Sequence, residues 1–139
     1  MVSCSKKKVF EKYEKFDNYD WNMDKTVKFE VQIDDTAAAY NIYIPTRHIE
    51  NYLYDCLKVN VIIYTPTGEE RTKNYKLNFR DSEGKFIGNG LGDIWDEKTL
   101  IMGNIKFKNT GIYKFEIVNN MPIIPTQGIM ELGLLVEKK

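Results

Sequence analysis

Few side chains in this sequence could do chemistry, and they are scattered. His48 is the only histidine. A histidine acting as a base needs a positioned nucleophile and an orienting partner. The polar stretch around His48 shows neither, so a structural or merely exposed histidine is expected. One histidine and two cysteines cannot form the Cys/His cluster of a zinc site. Asp93 and Asp96, with Asp81 and Glu83 upstream, invite calcium, yet the alternate oxygen ligands, central glycine and closing glutamate of an EF-hand are missing. Capping of turns beside Gly92 is the expected role for the two aspartates. The GNGLG run at 88–92 has no amphipathic helix behind it, so it is not a dinucleotide fingerprint. A hydrolase would need two carboxylates flanking a cleft ~5 to 10 Å across, and no spacing here implies one. The expectation is a non-enzymatic protein with no catalytic residue, no metal and no cofactor.

Three other positions could make contacts. Arg47 can grip a carboxylate with two parallel hydrogen bonds, and Tyr52 and Tyr54 combine apolar area with a hydroxyl. This cluster has two readings: a peptide or glycan contact, or an internal clamp that satisfies a long connection. The cysteines differ in context. Cys56 sits among apolar residues and reads as a small buried hydrophobe. Cys4 follows Val2 and Ser3 and precedes Ser5 and three lysines, as at the mature end of a bacterial lipoprotein whose signal peptide has been removed. A disulfide between the two is not expected.

The elements that must position these groups are strands. Val27, Phe29, Val31 and Ile33 alternate with Lys28, Glu30, Gln32 and Asp34, a half-buried strand. Alternation resumes through Ala38, Tyr40, Ile42 and Ile44, and Pro45 is expected to end it, leaving 46–55 as a connection. Leu57 to Tyr64 and Thr72 to Phe79 flank a Pro-Gly hairpin loop. Gly103 to Asn109 and Gly111 to Val118 read as two paired strands around a tight turn at Asn109–Gly111. Met130 to Val136 closes the chain. Between the two groups of strands lies Gly84 to Asp96, which holds Gly84, Gly88, Gly90 and Gly92. Glycines at a spacing of two allow positive φ or close passage of backbone, so the stretch reads as a tightly routed structural crossing. About seven or eight strands with these turn signals predict an all-β fold: a two-sheet antiparallel β-sandwich, Ig-like or jelly-roll-like. Residues 1–8 read as a flexible tether and 9–139 as a single domain. Within it, 9–23 is an extended segment laid on the sheets with Trp21 as its anchor.

Composition limits the partners. The chain has 139 residues, with 20 basic side chains against 20 acidic ones, so no strong field draws in nucleic acid. Nothing approaches the ~20 apolar residues of a membrane helix. No small-molecule substrate is implied.

Taken in order, Trp21, TVKFEV, Arg47 with Tyr52 and Tyr54, GKFIGNGLGDIWD, Phe107-x-x-x-Gly111-x-Tyr113, Met121 and the closing GIMELGLLVEK resemble the gliding-motility lipoprotein family GldH of the Bacteroidetes. The resemblance runs from about Cys4 to Glu137. It implies lipid attachment at Cys4 and a place on the periplasmic side of the cell envelope, anchored to a membrane. It also implies a contribution to gliding motility, or to the secretion machinery linked to it, through contacts with other proteins of those machines. The family's arginine-tyrosine segment falls on Arg47, Tyr52 and Tyr54, and its glycine signature on Gly84, Gly88, Gly90 and Gly92. The alternative from another class is a glycan-binding β-sandwich module. Exposed aromatics in a shallow groove with converging polar groups favour sugar, whereas a broad apolar patch with a polar rim favours a protein partner.

Overall fold

Only an extended chain puts Val27, Phe29, Val31 and Ile33 on one side, and in the computed structural model, which describes residues 7–139, all four are buried. They form β3 (Val27–Ile33), one of eleven strands among the described residues. The others are β1 (Lys7–Lys15), β2 (Asp20–Trp21), β4 (Tyr40–Ile49), β5 (Cys56–Tyr64), β6 (Glu70–Asn78), β7 (Asn89–Leu91), β8 (Ile94–Ile105), β9 (Gly111–Asn119), β10 (Thr126–Gln127) and β11 (Ile129–Lys138). A five-stranded sheet runs β1-β11-β4-β8-β7 and a four-stranded sheet β3-β9-β5-β6, every pairing antiparallel. A small ribbon of β10 and β2 is the third sheet. The fold is the expected all-β sandwich, with more strands than the turn signals imply.

The core lies between the two large sheets. Val27, Val31, Val59, Phe115 and Ile117 fill it from the four-stranded side, and Ile42, Ile44, Leu132, Leu134 and Val136 from the five-stranded side. On one flank Phe10 meets Phe29 edge to face at 5.8 Å, joining β1 to β3. Trp21 is wholly buried, stacks on Phe16 at 5.1 Å and donates from Nε1 to the Lys25 carbonyl at 2.7 Å. It fixes the N-terminal segment. Lys7 and Lys8, placed in the tether by sequence, already lie in β1, in register with Lys138 and Glu137 of β11.

Three expectations about strands are corrected. Pro45 does not end β4, which continues to Ile49. Pairing of β4 with β11 lapses between Tyr43–Leu135 and Thr46–Leu132, while Pro45 stays in register with Lys98 of β8. The missing proline N–H is accommodated at that gap. Residues 46–49 are therefore strand, and the connection is only 50–55. Second, β8 begins at Ile94, well before Gly103. Its register shifts twice opposite Tyr40, Ile42 and Tyr43, and Asn104 takes φ 55° with its N–H donated to Asn41 Oδ1 at 2.8 Å. These irregularities fall in the second half of β8. Its first half is in unbroken register but carries Asp96, Glu97, Lys98 and Thr99 in succession, with no period-two apolar signal. Third, β8 and β9 are not a hairpin. They lie in different sheets, and the segment between them crosses the sandwich, with Phe107 packed on Tyr40 and Tyr113.

The glycine stretch connects the sheets, from β6 in one to β7 in the other. On the way Arg80 pairs with Phe86, and the Ile87 N–H donates to the Phe79 carbonyl at 2.8 Å.

Candidate functional site

Of the three contact candidates, Arg47 separates in space from Tyr52 and Tyr54, whose rings stay in contact. Arg47 lies on β4 beside Asp96 of β8, its register partner. Its Nε donates to Asp96 Oδ1 at 2.8 Å and Nη2 to Oδ2 at 3.0 Å, a two-pronged pair. That hydrogen bonding raises the guanidinium's affinity for its proton further. The pair is about half exposed and lines a shallow groove on the five-stranded sheet with Tyr13, Asn89, Lys98 and Glu131. Tyr13 is 43 % exposed. It lies across Gly133 of β11, where an added Cβ would stand 2.6 Å from the tyrosine ring and from the Lys12 carbonyl. Its hydroxyl donates to Glu11 at 2.7 Å, and burial together with that carboxylate pushes the phenol well above the ordinary range. Tyr13 and Gly133 escape sequence reasoning because they act across a strand pair whose register becomes visible only in the fold.

Tyr52 is in the interior. Its hydroxyl donates to the Cys56 carbonyl at 2.7 Å, and burial raises its pKa. The Arg80 guanidinium lies 3.8 Å over the Phe86 ring and donates to the carbonyls of Tyr52 and Gly84 at 3.3 and 2.7 Å. For Tyr52 the clamp reading describes the geometry, with Arg80 in the place expected for Arg47. His48 is buried in the same aromatic cluster, stacked on Phe79 at 4.6 Å and tilted against Phe86 at 4.7 Å. Its Nδ1 lies 2.9 Å from the Ile49 carbonyl and must be the donor there, so Nε2 is the bare nitrogen. Nε2 is buried without a hydrogen-bond partner. Burial lowers the histidine pKa, which keeps the ring neutral.

Tyr54 packs edge to face on Tyr52 at 5.6 Å and opens onto the end of the sandwich built from 50–55 and 119–128. There Leu53 and Ile123 are 81 % and 56 % exposed, and they share a depression with Ile49, Tyr54 and Pro125. Pro125 also borders a second depression with Met23, itself 76 % exposed. The result is an apolar surface with Asn22, Asp24, Asn51 and Gln127 around it.

Of the four glycines, Gly88 and Gly90 approach other groups closely. Gly88 has φ +97°, and a Cβ there would overlap the Asp96 carbonyl oxygen; at Gly90 it would sit 2.9 Å from the Trp95 indole. Gly84 and Gly92 have positive φ with open space around them. The strand pair that carries Asp96 thus rests against bare backbone at Gly88. Cys4 lies outside the described residues. Cys56 is buried and free. Among the described residues no group of three or more His, Cys, Asp or Glu is placed to hold a metal ion, and no helix is long and apolar enough to cross a membrane.

The family model described as GldH lipoprotein matches residues 8–136. Gliding motility lipoprotein GldH of Flavobacterium johnsoniae is 31 % identical, the match covering all of this chain and 90 % of that protein. The gliding motility lipoprotein GldH homolog of Christiangramia forsetii is 29 % identical over 98 % of this chain and 87 % of its own length. No solved structure matches.

Proposed function

From the premise that the chain belongs to the GldH lipoprotein family, we propose that it is a non-enzymatic component of gliding motility, or of the secretion machinery linked to it, acting through contacts with other proteins. Lipid at Cys4 holds it to a membrane on the periplasmic side of the envelope. The observation that carries the protein-contact reading is the apolar end surface around Leu53, Ile123 and Met23. Large side chains exposed together within a polar rim cost little when they meet a complementary protein and are a liability otherwise. Capture of the chain from chemically crosslinked envelope tests this reading. Co-recovery of motility or secretion proteins is expected, and recovery of glycan alone would contradict it.

A second reading, glycan binding, is favoured by the groove around Arg47. Tyr13 offers an exposed ring there, with Arg47, Asp96, Asn89 and Glu131 converging on it. It predicts that Tyr13→Ala abolishes retention on envelope glycan while leaving protein capture intact.

A further inference from the structure

The sandwich is closed on its β1–β3 flank by Phe10 and Phe29 and opens on the opposite flank, where β6 and β8 are the facing strands. β6 ends its sheet, and β7 covers β8 only at Ile94–Asp96. A cleft of about 400 Å³ enters between the sheets here, at the end away from the Leu53 surface. Its apolar walls are Val61, Ile63 and Tyr113 from one sheet and Met102, Ile105 and Phe107 from the other sheet and the segment after it.

Cations gather at its mouth. On β6, Arg71 and Lys73 stand opposite Ile63 and Val61 of β5, so they share the core-facing side with those apolar residues. Lys106 and Lys108, beyond the end of β8, face them from across the cleft. Arg71 pairs with Glu69 at 3.2 Å. Among the described residues no carboxylate pairs with Lys73, Lys106 or Lys108. Inward-pointing charge on an edge strand guards against edge-to-edge aggregation, and that accounts for Arg71 and Lys73. It does not account for Lys106 and Lys108, two further lysines without a carboxylate partner among the described residues, brought to the same mouth by the segment after β8.

We infer that this cleft binds a single-chain anionic amphiphile, with the acyl tail between the sheets and the anionic head among Lys73, Lys106 and Lys108. A volume of about 400 Å³ falls within the small-molecule range of roughly 300–1,000 Å³. The apolar walls gain from covering a hydrocarbon tail. The lysines supply charge-assisted donors to a carboxylate or phosphate head. This site is separate from the surface assigned to protein contacts, so either assignment can fail alone.

The test is methyl NMR of the 139-residue chain with dodecanoate as probe. Saturable shifts are expected at Ile63, Met102 and Ile105. Lysophosphatidylglycerol should displace dodecanoate if the shared anionic head is what binds. Dodecyltrimethylammonium, with the same tail and the opposite charge, should bind at least about tenfold more weakly, as should dodecanoate at the double variant Lys106→Glu/Lys108→Glu. Both lysines are exposed, so the urea midpoint of that variant should match the wild type. No shift at the three methyls would overturn the inference. So would equal binding of the cationic amphiphile, unchanged affinity in the double variant, or occupation of the cleft by an acidic peptide in place of either lipid.

Discussion

Replacing the four glycines of Gly84–Asp96 one at a time separates backbone strain from steric conflict. At Gly84 and Gly92 an added methyl group meets nothing within 4 Å. The positive φ is then the only cost, roughly 1–2 kcal/mol for an L-residue. At Gly90, where φ is not positive, the methyl meets the Trp95 ring at 2.9 Å. That ring cannot swing away freely, because its Nε1 donates to Glu50 at 2.5 Å and it is tilted against Phe86 at 5.5 Å. Overpacking of this kind costs about 1–3 kcal/mol. Gly88 suffers both effects, since its φ is +97° and the obstacle is the Asp96 backbone. The sum is about 2–5 kcal/mol, a large share of a total stability of about 5–15 kcal/mol. Urea melts of the four alanine variants should therefore rank Gly88→Ala well below the rest, with Gly84→Ala and Gly92→Ala mildest. Equal midpoints for Gly88→Ala and Gly92→Ala would refute the reasoning, because only the contact with Asp96 distinguishes them.

Two further outcomes follow from the same geometry and from the proposed anchor. His48 has its pKa lowered by burial, so the unfolded chain binds its proton more readily. Stability should be full above the ordinary histidine pKa of ~6.5 and fall as pH drops below it, by at most about 1.4 kcal/mol per pH unit. Urea melts between pH 7.5 and pH 5.5, a range set around that ~6.5, should show this slope in the wild type and lose it in His48→Phe; an equal slope in both would place the titration elsewhere. For Cys4, intact mass of the natively expressed, membrane-extracted protein should show a lipid adduct on that residue. A Cys4–Cys56 disulfide, or a mature chain starting well away from Cys4, would contradict the anchor.

The strands with clean alternation were legible in the sequence because apolar residues recur at every second position on the core-facing side, even in β11, where Leu132–Val136 are buried on both faces. β3, β5, β9 and β11 each carry apolar residues at every second position over most of their length. The crossing expected over Gly84–Asp96 was legible only in its first part: Gly84–Gly88 lies on the passage between the sheets, whereas Asn89–Asp96 is a hairpin of β7 with the start of β8. The first half of β8 was not legible, because Asp96, Glu97, Lys98 and Thr99 follow one another without an apolar alternation, although their register with β4 is unbroken. The false hairpin at Asn109–Gly111 has a different cause: the apolar patterns on either side of a turn are alike whether the chain returns within a sheet or crosses to the other one. The contact cluster was legible only in part. Arg47, Tyr52 and Tyr54 are close in sequence, but β4 runs on to Ile49. Arg47 is thereby left in an exposed ion pair on the sheet while Tyr52 turns into the core. The apolar end surface depends on Met23, Leu53 and Ile123, which come from three separate connections, and no local pattern unites them.

Capture from crosslinked envelope with the double variant Leu53→Glu/Ile123→Glu, beside the wild type, tests the protein-contact claim most directly. Both side chains are more than half exposed, so exposed charge at these positions should shift stability by no more than about 0.5 kcal/mol. The account predicts an unchanged urea midpoint together with loss of the motility or secretion proteins recovered by the wild type. Recovery of the same proteins in the same amount by the folded variant would contradict it.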